Sequence, residues 1–259
     1  MSEEIIGQVQ GQAEALEIHQ DTGRGAVAVV GAHGKIGQLL SRELSARGYR
    51  VLGVHRKPEQ AEAVEATGGV SVLHDLESGT AEELASALRS AAQGDIEAIV
   101  FTAGAGPGSG AARKATVDLG GAAQSIEAAS RAGVARFVQV SFIGADDDAE
   151  PTGEESWDAY RTAKKEADAL LRASSLDWTI VRPGHLTDEP PSALVTIGEG
   201  LESGETSRGN VALVIATVIA EPSTIHRAID VLDGEIPVAE AFPLPVRPTG
   251  LSGRKGPSA

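Results

Sequence analysis

In Val27-Ala28-Val29-Val30-Gly31-Ala32-His33-Gly34-Lys35-Ile36-Gly37 a short apolar run ends in glycines and continues into a helical pattern. A β-branched run bounded by glycine reads as a buried strand, and Ile36, Leu39, Leu40 and Leu44 then recur at helical spacing. The glycines fall at the strand-to-helix turn. There the first helix amides have no intrahelical partner and the helix dipole is positive, so the turn suits a phosphate. A dinucleotide is the ligand that fits best. In that reading Gly31 makes the tight turn, Gly34 lets the backbone approach the pyrophosphate, and Gly37 lets the helix lie close on the sheet. Lys35 and Ile36, between them, complete this candidate cofactor contact. The Gly-x-x-Gly-x-x-Gly spacing is one residue longer between the first two glycines than the usual fingerprint, and an ordinary turn is the alternative.

Outward from this turn, short apolar runs alternate with helical patterns. The sequence predicts strands at 26–31, 50–54, 70–73, 97–102, 135–141 and 178–182, and helices at 35–47, 58–67, 80–92, 112–132 and 157–174. Such alternation is the signature of an α/β fold, a parallel sheet covered by helices on both faces. Right-handed crossovers leave the doubly wound Rossmann order 3-2-1-4-5-6 as the simplest topology. After Pro183 the alternation loosens, with a strand at 193–197, a helix over 210–220 and a strand at 227–232. This is too little for an independent domain, so a substrate-side cap on the same sheet is expected from about 184. The expected organisation is an extension over 1–25, one domain over 26–242, and a disordered Pro/Gly/Ser/Arg-rich tail over 243–259.

Composition narrows the function class. The 259 residues are 41% hydrophobic and 23% charged, with a formal charge of −15 at pH 7 and no cysteine. That charge opposes non-specific binding to nucleic acid or to an anionic membrane, which points to small molecules or proteins as partners. Disulfides and thiolate chemistry are excluded. The acidic start, Met1-Ser2-Glu3-Glu4, has no signal-like apolar region. The longest apolar run, Val211 to Ala220, is well short of the ~20 residues a membrane span needs. A cytoplasmic protein, monomeric or homo-oligomeric, is the expectation.

In an open α/β sheet the ligand lies outside the carboxyl ends of the strands. The second strand closes at Val54-His55-Arg56-Lys57, about 20 residues past the glycine turn, where an acidic residue selects NAD and a basic one NADP. Arg56 offers a planar fork suited to a 2′-phosphate, and Lys57 a second charge, so NADP(H) is preferred over NAD(H). Surface charges opening a helix are the alternative. The third strand closes at His74-Asp75-Leu76, where Asp75 reads either as an acceptor for the adenine amino group or as a cap. The fourth closes at Thr102-Ala103-Gly104-Ala105-Gly106-Pro107-Gly108, a stretch of small residues that leaves room for a ligand.

Taken together, Gly31-x-x-Gly34-x-x-Gly37, Asp75-Leu76, Ala103-Gly104-Ala105, Tyr160-x-x-x-Lys164 and Thr179-Ile180-Val181-Arg182-Pro183-Gly184-His185-Leu186-Thr187 stand in a telling order. The chain resembles the atypical short-chain dehydrogenase/reductases, the NAD(P)H-binding group that includes NmrA-like proteins and relatives of sugar-nucleotide epimerases. The resemblance runs from about Ala26 to about Val238. It includes Ser207-Arg208-Gly209-Asn210-Val211-Ala212, similar to that group's Ser-Arg-Ala-Asp-Val-Ala. It implies that Pro183, His185 and Leu186 bracket the nicotinamide and that Arg208 belongs to the substrate half.

Tyr160 and Lys164 lie four residues apart in a helical pattern and therefore share one face. A Tyr hydroxyl can protonate a carbonyl as hydride arrives, and a nearby ammonium favours the phenolate, lowering a pKa otherwise near 10. The resemblance implies further that Lys164 holds the nicotinamide ribose and that Ser141 polarises the substrate carbonyl. A packed Tyr beside a solvated Lys is the alternative. His185 is the next candidate donor. His19, His33, His55, His74 and His226 show no metal-ligand spacing, and the acidic run around Asp146-Asp147-Asp148 reads as a solvated loop, so no metal is expected. Two functions follow: an NADP(H)-dependent oxidoreductase acting on a small carbonyl or alcohol, with an epimerase or dehydratase as a variant, or a dinucleotide-binding regulatory protein that works through a protein partner.

Overall fold

The computed structural model describes residues 24–106, 108–148 and 150–244. A nine-stranded sheet runs through the molecule, and in its interior, third from one edge, lies β1 (Ala26–Val30), every residue of which is buried. Its side chains alternate between the two faces. Val27 and Val29 enter one core, while Ala26, Ala28 and Val30 enter the other. A strand with no solvent face reads as a continuous apolar run, which is why this segment announces itself in the sequence.

β1 pairs in parallel with β2 (Arg50–His55) and with β4 (Ile96–Phe101). Outward from these lie β3 (Val70–Leu73) on one side, and β5 (Arg136–Val140) and β6 (Asp177–Pro183) on the other, all parallel. The expected order 3-2-1-4-5-6 is thus present. The sheet then continues past β6 with β10 (Arg227–Asp233) parallel, and with β8 (Leu194–Gly198) and β11 (Ile236–Pro237) antiparallel. A separate pair, β7 (His185–Thr187) and β9 (Glu205–Ser207), forms a small parallel ladder.

Helices cover both faces. On one, α1 (Lys35–Ala46) packs against α6 (Arg208–Val218), joining Leu40 and Leu44 to Val211, Val214, Ile215 and Val218. On the other lie α3 (Ala81–Ala92), α4 (Gly121–Ala132) and α5 (Glu155–Ala173), contributing Leu84, Leu88, Ile126, Ala128 and Leu171. Each fully buried Val, Leu or Ile side chain among these contributes about 1.5–3 kcal/mol. α3 starts on a reciprocal cap in which Thr80 Oγ1 accepts from the Glu83 amide and Glu83 accepts from the Thr80 amide.

The expected single helix over 58–67 is a 3₁₀ turn, Pro58–Gln60, followed by the short α2 (Ala61–Glu65). The expected helix over 112–132 is also composite. One turn, Ala111–Arg113, passes through a π-helical stretch, Lys114–Gly120, before α4. Lys114 and Asp118, both in this π-helical stretch, are buried.

The expected extension lies outside the described residues apart from Arg24 and Gly25, as does the expected tail from residue 245 onward. Leu244, two residues past the expected domain limit, is buried in the core. Among the described residues no helix is long and apolar enough to cross a membrane.

Candidate functional site

The order of the sheet reverses between β1 and β4, and the first candidate residues meet there. Gly31 has φ +90°, and a Cβ on it would lie 2.7 Å from the backbone N and Cα of Ala103, so the ends of β1 and β4 touch backbone to backbone. A Cβ on Gly37 would lie 2.3 Å from the Gly31 carbonyl oxygen and 2.8 Å from Ala32 Cα. Only glycine lets α1 start this close to the turn. Gly34 is the N-cap of α1, with its amide on the Gly31 carbonyl at 2.9 Å and no side-chain cap over the helix start. Ile36 packs against the core, which leaves its backbone for a ligand. Lys35 is exposed and ion-paired with Asp188.

A cavity of about 260 Å³ opens beside this turn. Gly31, Gly34, Arg56, Asp75, Leu76, Ala103, Gly104 and Ala105 all line it, so strand ends far apart in the sequence meet in one place. Arg113 and Glu77, which the sequence reading did not single out, line it too. Lys57 is not part of the lining; it turns to Glu59 at 3.7 Å. Asp75 Oδ1 accepts from the Glu77 amide at 3.0 Å, a turn-closing role that leaves one carboxylate oxygen outside that bond. His55 is held by the Lys57 carbonyl and Ser71, and His74 by Gln124.

The candidate catalytic residues gather at the adjoining ends of β5 and α5. Lys164 Nζ donates to the carbonyl of Val140 at 2.9 Å and lies 3.7 Å from Asp118 Oδ1, with both side chains almost wholly buried. Asp118 also accepts from the Ala105 amide at 3.0 Å, which ties the small-residue loop to the same group. Next to Val140, Ser141 donates to Asp168 Oδ2 at 2.8 Å, and Gln139 donates to the other oxygen at 2.7 Å. The Ser141 proton is thus engaged by Asp168.

The Tyr160 ring sits between Phe142 and Trp157, with centroids at 5.4 and 5.5 Å, and the ammonium groups of Lys114 and Lys164 lie 5.4 and 5.9 Å from its centroid. Burial, reinforced by the carboxylates of Asp118 and Asp168, pushes the phenol well above its ordinary pKa. The expectation that Lys164 lowers it is therefore corrected. Burial depresses the Lys164 ammonium, Asp118 and Asp168 partly offset that, and the charge is spent on Asp118 and the Val140 carbonyl. Burial likewise raises Asp168.

Pro183 is buried, and its carbonyl accepts from Ile143 at 3.0 Å. His185 is exposed and Leu186 half-buried in β7, a three-residue strand. Arg208 Nη1 reaches Asp188 at 2.7 Å and the Leu186 carbonyl at 3.3 Å, so Asp188 links the starts of α1 and α6. Asp168 continues the Tyr160–Lys164 register by one more step of four, a signal that could have found it. Asp118 and Arg113 had no such signal. Among the described residues no group of three His, Cys, Asp or Glu is placed to hold a metal ion.

Residues 31–222 match the family described as NAD(P)H-binding. The chain is 40% identical over 221 residues to the "Uncharacterized sugar epimerase YhfK" of Bacillus subtilis (strain 168), covering 83% of this chain and 98% of that one. A solved structure described as a putative NAD-dependent epimerase/dehydratase from Bacillus halodurans superposes with a TM-score of 0.76 at 35% identity, over 84% of this chain and 98% of that one. The oxidoreductase ylbE from Lactococcus lactis gives 0.72 at 29% identity, over 83% and 94%.

Proposed function

The chain belongs to the NAD(P)H-binding family, and from that premise we propose that it is a cytoplasmic, NADP(H)-dependent oxidoreductase that reduces a small carbonyl substrate. The observation that carries this reading is the meeting of Tyr160, Lys164 and Ser141 where β5 ends, with Asp118 joining Lys164 to the Ala105 loop of the cavity. The glycine turn and the cavity would hold the dinucleotide: α1's uncapped amides and Gly34 for the pyrophosphate, Asp75 and Leu76 for the adenine, Arg56 for the 2′-phosphate.

When bound, a reduced nicotinamide supplies a hydride to the carbonyl carbon. Tyr160 holds the proton for the carbonyl oxygen. Its raised pKa means the phenol keeps that proton in the resting site and gives it up only to a stronger base, such as the oxygen that gains charge as hydride arrives. Lys164, pinned by the Val140 carbonyl and Asp118, fixes the end of β5 against α5 and so places Ser141.

A second reading has an observation of its own. Lys164 is directed to Asp118 and Val140 rather than to the Tyr160 hydroxyl, which suits a dinucleotide-binding protein without turnover that acts through a partner. The names of the relatives add an epimerase or dehydratase as a variant using the same hydride step. The test is NADPH consumption across a carbonyl panel with wild type and Tyr160→Phe. Turnover that the substitution abolishes supports the reductase. Tight NADPH binding with no turnover on any member of the panel favours the regulatory reading.

A further inference from the structure

Glu77, in the turn after β3, draws side chains from two other strand ends. Arg113 Nη2 donates to its Oε2 at 2.6 Å and Arg56 Nη1 to the same oxygen at 3.1 Å, while Thr116 Oγ1 donates to Oε1 at 2.7 Å. Arg56 follows β2, and Arg113 stands in the first turn beyond the glycine-rich loop that follows β4. All three charged residues line the cavity. Their side chains are between about a quarter and two-fifths exposed, and ion pairs that open to water contribute little to folding. Stability is therefore a weak reason for two guanidinium groups to share one oxygen.

Two planar forks arriving at one point from different segments match a tetrahedral dianion better than a single carboxylate. We propose that Arg113 is the second arm of the 2′-phosphate subsite, opposite Arg56, and that Glu77 sets the selectivity between NADP(H) and NAD(H). Glu77 holds the two guanidinium groups in one place and competes with the phosphate for them. The role the sequence suggested for Lys57 passes to Arg113, since Lys57 pairs with Glu59 away from the cavity.

The charges fit this division of labour. The two arginines and the carboxylate leave one net positive charge facing the ligand, and hydrogen bonds from Arg113 and Thr116 hold Glu77 below the usual carboxylate range, so it is ionised at neutral pH. An incoming 2′-phosphate meets two cations and one like charge. A ribose 2′-hydroxyl carries no charge to engage either arginine.

This inference rests on the dinucleotide reading, and calorimetry separates the two. NADPH and NADH are titrated into wild type, Arg56→Ala, Arg113→Ala, Arg113→Lys and Glu77→Gln, with adenosine 2′,5′-bisphosphate and 5′-AMP as probes of the adenosine end alone. Thermal melts without ligand establish that each variant is folded. Arg113→Ala should weaken NADPH and the bisphosphate by about tenfold or more, the loss of a charged hydrogen bond, and leave NADH and AMP unchanged. Arg113→Lys should recover part of that loss. Glu77→Gln keeps an acceptor for both arginines but removes the like charge, so it should tighten NADPH severalfold without altering NADH. If NADPH binds and Arg56→Ala weakens it while Arg113→Ala leaves the NADPH-to-NADH ratio untouched, the two-armed site is wrong. Glu77→Gln leaving that ratio unchanged or lowering it would overturn the competing role. If neither dinucleotide binds wild type, the dinucleotide reading itself fails.

Discussion

Lys164 Nζ stands 3.7 Å from Asp118 Oδ1, and the two side chains, 6% and 1% exposed, form an ion pair across the junction of α5 and the π-helical turn. Removing one member of a buried pair leaves the other charged and without a counter-ion, at a cost of about 3–5 kcal/mol. Asp118→Ala should therefore lower stability by about that amount in urea denaturation, and Asp118→Ala with Lys164→Met should recover much of it. A single-variant loss of less than ~0.5 kcal/mol, typical of a surface site, would show that the pair is not a structural hinge of the site.

Tyr160 gives the protein a pH dependence at the alkaline end. Its folded pKa is raised by burial above the ordinary 10.0, so at neutral pH the phenol is protonated in both the folded and the unfolded chain and costs nothing in ionisation. As pH rises past about 10 the unfolded chain ionises first, and stability is lost progressively up to the folded value. The chain has two tyrosines, so an ultraviolet pH titration of wild type minus Tyr160→Phe isolates this group. Ionisation above 10 is expected; ionisation at or below 10 would restore the activated phenolate that the sequence alone suggests.

Arg136 is a buried cation with a structural task. At the start of β5 it donates to the carbonyls of Val218 at 2.7 Å and Ile219 at 3.3 Å, at the end of α6, and to the Asp177 carbonyl at 2.7 Å. Burial lowers its pKa to about 10, which still leaves it charged at neutral pH, where it complements the negative end of the α6 dipole. Arg136→Ala orphans these acceptors and should cost about 2–4 kcal/mol, read as a shift of the urea midpoint with little change in dinucleotide affinity. A large loss of NADPH binding in a stable Arg136→Ala variant would contradict this assignment.

The glycine turn was legible because its constraints are local. Gly31, Gly34 and Gly37 are needed by contacts within a single strand-turn-helix, and the alternation of apolar runs carries the sheet order as far as β6. What escaped was of two kinds. β7, β9 and β11 are two or three residues long, too short to show a period, and the π turn has the composition of an ordinary helix. The other kind is contact between distant segments. Glu77 and Arg113 are 36 residues apart and meet only because β3 and β4 end on the same side of the sheet, and nothing around Asp118 marks it as the partner of Lys164. The place of Arg56 beside the cavity follows from its position at a strand end and could be read from the sequence. Chemistry set by burial, as for the direction of the Tyr160 shift, could not.

We propose that the cavity at the β1–β4 switch point takes a nicotinamide dinucleotide and prefers the 2′-phosphorylated form. Calorimetric titration of wild-type protein with NADPH and with NADH, side by side at one ionic strength, tests it most directly. Saturable binding of both is expected, with NADPH tighter by about tenfold or more, the value of one charge-assisted contact to the phosphate. Equal affinities, or tighter binding of NADH, would contradict it.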